Sequence, residues 1–243
     1  MVQNEYDESI NIKTNNKHDY EKMIDIDLPI IGSHNTMSYL EPIGWIGKLL
    51  RFTTRCQRKN YREQYFLYNV RGFDLRIYFD DNGRCWFKHG PVWYKTFSLL
   101  EILSFFNEMG DCYVRVTLEE TKSDSKKDNV EFAEKRFVSM CRTIEELYPR
   151  VKFIGGERRH DWHPLFQFRY EKEYGCPRTL DLYSNTTWMF DPAIPEDDGI
   201  FEYISSGWWP WLYAKLKNKK NFKKHYKKRD DIDLFFTDYV DIR

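Results

Sequence analysis

No apolar run in this sequence approaches the roughly 20 residues needed to cross a bilayer as a helix. Its opening stretch, MVQNEYDESINIKTNNKHDY, lacks the basic-then-apolar order of a secretory signal. The expected location is therefore cytoplasmic or peripheral to a membrane. Net charge is missing too. Lys and Arg number 38 and so do Asp and Glu, which argues against a globally basic nucleic-acid binder, so no nucleic-acid partner is expected. Cysteine is sparse: Cys56, Cys85, Cys112, Cys141 and Cys176 are odd in number and widely spaced, with no Cys-x-x-Cys pair. Neither a structural zinc site nor a full disulfide framework is indicated, and a reducing interior fits best. Internal repeats and low-complexity linkers are absent. So is a Gly-rich phosphate loop after the first apolar run, which argues against an open, doubly wound sheet.

What the chain does have is rings and charge. Of 243 residues, 18% are aromatic and 31% charged, a composition that suits one sizeable core. A polar arm over residues 1–22 precedes a single domain over 23–243. Short apolar runs at 28–32, 112–118, 151–154, 180–183 and 234–236 have the length of buried strands. Between them, helical spacing predicts helices over 37–52, 61–68, 97–109 and 129–148, the third stopped by Gly110. Strands alternating with helices, with polar residues at the strands' C-terminal ends, predict a single α/β domain: a closed, distorted (β/α)8 barrel of TIM type. Closure makes the first and last strands neighbours. His34, after the first strand, and Asp238, after the last, then meet.

The richest stretch is VRGFDLRIYFDDNGRCWFKHG, residues 70–90. Phe73, Leu75 and Ile77 alternate with Asp74, Arg76 and Tyr78, so the carboxylate and guanidinium project from one face of a strand. Asp80 to Gly83 supply a turn, and an extended run returns to His89.

With IIGSHNT, QYFLYNVRGFDLR, FKHGPVWY, CYVRVTLEE and FFTDYV in this order, the chain resembles the catalytic domain of phosphatidylinositol-specific phospholipases C, most nearly the metal-independent bacterial type. The resemblance covers most of the chain to about residue 120 and returns at the end. It implies cleavage of phosphatidylinositol, or a related inositol glycolipid, to diacylglycerol and a cyclic inositol phosphate. His34 is then the general base, His89 the general acid, and Arg76 the cation on the phosphate. Asp74 orients His89, Asp238 orients His34, and Asn35 touches the phosphate. Those types suit the chemistry, because a sugar hydroxyl is a poor nucleophile. One imidazole must take its proton while another protonates the departing oxygen, and fixed donors must meet the phosphoryl charge. Calcium-dependent relatives carry an acid where this chain has Arg76, so no essential metal or other cofactor is expected. Glu119, counted with the substrate-binding residues, stands where the bacterial pattern has a lysine; it is a calcium ligand, a partner of Arg76, or one position out of register with that pattern.

In the region the resemblance does not cover, Asp181 and Tyr183 are the preferred ring-binding pair, facing inward at one strand end. A peripheral membrane surface is the expected partner of a monomer. Trp45, on the helix over 37–52, and Trp208, Trp209 and Trp211, before a lysine-rich run, are its candidate contacts. The alternatives are a catalytically inactive barrel that binds inositol phosphates or membranes, and a related barrel phosphodiesterase with another substrate.

Overall fold

A computed structural model describes residues 28–80, 84–95, 97–121, 130–154, 159–162, 165–170, 179–182, 209–227 and 234–242. The predicted N-terminal arm and the Asp-Asn-Gly turn lie outside them. Ten strands form one connected system. They are β1 (Ile30–Ser33), β2 (Val70–Phe79), β3 (Cys85–His89), β4 (Val92–Trp93), β5 (Tyr113–Thr121), β6 (Lys152–Ile154), β7 (Arg159–Trp162), β8 (Leu165–Arg169), β9 (Thr179–Leu182) and β10 (Leu234–Thr237). The helices are α1 (Gly44–Thr54), α2 (Tyr61–Tyr68), α3 (Leu99–Met109), α4 (Val130–Leu147) and α5 (Pro210–His225).

The parallel pairs run β6-β5-β2-β1-β10-β9, the order of successive barrel strands with the first beside the last. Ile30 to Ser33 lie opposite Leu234 to Thr237. On the far side the ring is not closed by pairing among the described residues, so the structure is a mixed α/β fold with a curled sheet forming half a barrel. The expected eightfold closure is not formed among the described residues. Two strands depart from the simple pattern beyond the parallel core. β2 continues into an antiparallel hairpin with β3, Ile77 opposite Phe87, and the end of β5 pairs antiparallel with β8, which pairs with β7. The first is the return that the turn after residue 79 predicts; the strands β7 and β8 are not among the predicted apolar runs.

The strand period divides β2 and β5 into two faces. Phe73, Leu75 and Ile77, with Val114, Val116 and Leu118, are buried in one cluster with Ile102, Leu103, Phe105 and Phe106 of α3 and Phe137, Cys141 and Ile144 of α4. Phe73 stacks on Phe106 with ring centres 4.2 Å apart. Between those positions, Asp74, Arg76, Arg115, Thr117 and Glu119 are equally buried but polar; they form the other face. The β1/β2 contact requires glycine at position 72. A Cβ on Gly72 would lie 2.6 Å from Leu234 Cδ1 and 3.0 Å from Gly32 Cα, a close backbone approach of the kind that selects glycine within strands.

The helix ends follow local rules. The side chain of Ser98 accepts from the Glu101 amide, and Gly110, at φ 77°, ends α3. Asn60 and Glu63 form a reciprocal capping box at the start of α2. The helix expected over residues 37–52 starts later. A short 3-10 turn at Thr36–Tyr39 comes first, and α1 begins only after Pro42 and Ile43, where the residue before a proline is biased away from helix.

Candidate active site

The polar face of the sheet and the C-terminal ends of β1, β3 and β10 converge on two histidines. His34 follows β1, and its Nδ1 lies 2.7 Å from Asp238 Oδ1, at the end of β10. The register of the first and last strands produces this pairing across 204 positions of sequence. Gln57 ties the same strand ends together, donating through Nε2 to the carbonyls of His34 (3.1 Å) and Thr237 (3.0 Å). From α5, Asn218 Nδ2 donates to the Asp238 carbonyl at 2.7 Å. A helix drawn from the lysine-rich run thus anchors the loop that carries Asp238.

His89 ends β3, its ring 5.6 Å from that of His34 and at 88° to it. The expectation that Asp74 orients His89 gives way here. His89 Nδ1 lies 2.8 Å from the carbonyl of Thr54, the last residue of α1. A carbonyl can only accept, so the imidazole proton in that bond sits on Nδ1 and Nε2 is the atom that exchanges protons. Asp74 is engaged elsewhere: Oδ2 accepts from the Asn35 amide (3.0 Å) and Arg76 Nε (3.1 Å), and Oδ1 from Arg115 Nε (2.9 Å). Its nearest imidazole contact is 3.9 Å, to His34 Nε2.

Arg76 and Glu119 pair at 3.1 Å, the alternative to a calcium-ligand role, and Glu119 Oε1 also accepts from the Gly90 amide. The Arg76 guanidinium is therefore held through Nε by Asp74 and through Nη1 by Glu119, on parallel strands in register. Asn35 has a left-handed backbone, φ 42°, and its buried Nδ2 makes no hydrogen bond among the described residues. Asp181 accepts from Arg115 Nη1 at 2.9 Å; Tyr183 and Trp208 lie outside the described residues.

Burial and charge set the protonation of these groups. Burial pushes the His34 imidazole well below 6.5, and the Arg76 cation acts in the same direction. Burial also lowers His89, and Glu119 only partly opposes it. For Asp74, burial works upward, but Arg115 and Arg76 together hold it well below the ordinary carboxylate range. Glu119 is likewise held down, chiefly by Arg76 acting against burial. At neutral pH the site holds neutral imidazoles among ionised carboxylates and guanidiniums.

Arg115 and Cys56 were not singled out by sequence reasoning. Arg115 was detectable: it shares the parity of Thr117 and Glu119 on a strand that alternates them with Val114, Val116 and Leu118. Cys56, fully buried with Sγ 3.6 Å from His89 Nδ1, lies in a loop with no period to reveal it.

Beside the site, α1 turns apolar residues outward. Trp45 is 75% exposed and Leu49 63%, with Ile46 and Phe52 also exposed. α5 packs against α1, and the Phe52 and Trp209 rings meet with centres 6.2 Å apart. Trp209, just before α5, and Trp211, in its first turn, are both exposed. The two stretches predicted to touch a membrane are thus in contact.

No family model and no curated protein matches the chain. Among solved structures, the phosphatidylinositol-specific phospholipase C from Listeria monocytogenes matches at 14% identity, covering 88% of this chain and 89% of that one, with a TM-score of 0.46. A likeness at that level assigns neither a family nor an activity.

Proposed function

We propose that the chain is a phosphodiesterase that cleaves phosphatidylinositol, or a related inositol glycolipid, at the phosphate. One observation carries this reading: a buried and a half-buried imidazole 5.6 Å apart, each fixed by its own acceptor, beside a guanidinium braced by two carboxylates. A structural polar core needs no such arrangement of proton-exchanging groups.

In the proposed reaction, His34 Nε2 takes the proton of the inositol 2-hydroxyl as its oxygen attacks phosphorus. Asp238, at Nδ1, fixes the tautomer and stabilises the imidazolium that forms. His89 delivers a proton from Nε2 to the departing diacylglycerol oxygen, and the products are diacylglycerol and a cyclic inositol phosphate. The resting His89 is neutral, because burial disfavours its charge. The bound phosphodiester anion raises its proton affinity and prepares it as an acid. Arg76, clamped at two nitrogens, stabilises phosphoryl charge with little reorganisation, and Asn35 Nδ2 donates to a phosphoryl oxygen. Glu119 acts by bracing Arg76, and Asp181, paired with Arg115, accepts from ring hydroxyls. No metal is essential to this scheme. The exposed face of α1 and the α5 tryptophans seat a monomeric enzyme on the lipid surface, where Trp prefers the headgroup level.

The test is release of water-soluble head group from phosphatidylinositol in mixed micelles with excess chelator. Turnover that falls at least about 10³-fold in both His34→Ala and His89→Ala supports the assignment. Retention of inositol phosphate with no turnover by folded wild-type protein would make the chain a binding module instead.

A further inference from the structure

We infer that His34, Cys56 and His89 form a binding site for a soft divalent cation of the zinc class. One ligand atom from each residue lies within 4.8 Å of the others. Cys56 Sγ and His89 Nδ1 are 3.6 Å apart. Zinc bonds of about 2.3 Å to sulfur and 2.0–2.1 Å to nitrogen, opened to the tetrahedral angle, separate those two atoms by about 3.6 Å. The third ligand is prepared as metal-bound histidines are: Asp238 holds His34 at Nδ1, 2.7 Å away, which orients the ring and leaves Nε2 as the more basic donor. All three residues are rigidly mounted. His34 follows β1, His89 is the last residue of β3, and the Cys56 amide donates to Ser38 Oγ at 2.9 Å.

Binding is a balanced exchange. The Cys56 thiol gives up its proton to solvent as its sulfur bonds the cation, and both imidazoles coordinate in their neutral forms. Coordination at His89 Nδ1 leaves that ring's proton on Nε2 and exchanges the Thr54 hydrogen bond for the metal. Three protein ligands leave one position of a tetrahedral ion for water or a phosphate oxygen. The consequence for catalysis rests on the proposed function. An ion held by the His34 imidazole occupies the lone pair with which the base takes the hydroxyl proton, so zinc is a reversible inhibitor.

Metal-stripped full-length protein is titrated with Co²⁺, then with Zn²⁺. The expected result is a thiolate-to-cobalt charge-transfer band that zinc displaces, that Cys112→Ser retains and that Cys56→Ser lacks. Asp238→Asn should weaken zinc binding by about 10–100-fold. X-ray absorption of zinc-loaded wild type should find one sulfur in the coordination shell, a measurement that needs no variant to fold. Absence of the band in wild type, its survival in folded Cys56→Ser, or a sulfur-free zinc shell overturns the site. Zinc that fully arrests lipid turnover until chelator is added is the expected inhibition. Protein that gives the cobalt band but cleaves no lipid would refute the phosphodiesterase reading alone.

Discussion

Replacing Arg115 by alanine should be among the most damaging single changes to this fold. The residue is 1% exposed. Its Nε donates to Asp74 and its Nη1 to Asp181, each at 2.9 Å, and its guanidinium lies 3.9 Å from the centre of the Phe236 ring. Deleting one partner of a buried ion pair costs about 3–5 kcal/mol, because the other charge is left without compensation. Asp74 retains Arg76 and the Asn35 amide, and the Asp181 side chain is 27% exposed and can rehydrate. The loss should therefore fall near the lower end, about 3 kcal/mol. Arg115→Lys keeps the charge but not the planar fork that reaches two carboxylates. It should lose roughly 1.5–3 kcal/mol, the value of one charge-assisted hydrogen bond. Urea denaturation followed by tryptophan fluorescence gives these values, and a cycle with Asp74→Asn should return a coupling of about 1–3 kcal/mol. A loss under about 1 kcal/mol for Arg115→Ala, or no coupling to Asp74, would refute the view that the two share one buried network.

Three other outcomes follow. Burial depresses both imidazoles below 6.5, so below that pH the unfolded chain binds protons that the folded one refuses. Stability is fully present above about 6.5 and falls with pH through the depressed native values; His89→Asn should flatten the decline between about pH 7 and 5, and an unchanged slope would discard His89 as a source. Gly72→Ala presses a methyl group against Leu234 and the Gly32 backbone and should cost about 1–3 kcal/mol, measured by thermal unfolding; a neutral effect would mean that β1 and β2 are less closely packed. The double variant Trp45→Ala, Leu49→Ala should weaken binding to phosphatidylinositol vesicles by at least about tenfold with an unchanged rate on a water-soluble inositol phosphodiester; equal vesicle binding would remove α1 from the membrane surface.

Much of the parallel core was legible because its strands are short apolar runs with polar ends. The adjacency of His34 and Asp238 followed from one topological inference, and the end of α3 was marked by its stop glycine, Gly110. The rest depended on contacts that no local pattern encodes. Which acceptor holds His89 is decided by where α1 ends, so the carboxylate expected for it is found among arginines instead. The β7–β8 hairpin extends β5 through RHDW and LFQFR, where charged and polar residues leave no apolar run to mark a strand. Asn218 sits within PWLYAKLKNKKNFKKH, where surrounding lysines suggest a solvated surface, yet it is fully buried against the Asp238 loop.

The central claim is that His34 and His89 transfer protons in cleavage of an inositol phospholipid. The most direct measurement is phosphorus NMR of the protein with phosphatidylinositol in mixed micelles and excess chelator, with His34→Ala as control. The account predicts a cyclic inositol phosphate resonance growing with wild type and absent with the variant. No such resonance from folded wild type, or one that appears only when calcium is added, would contradict it.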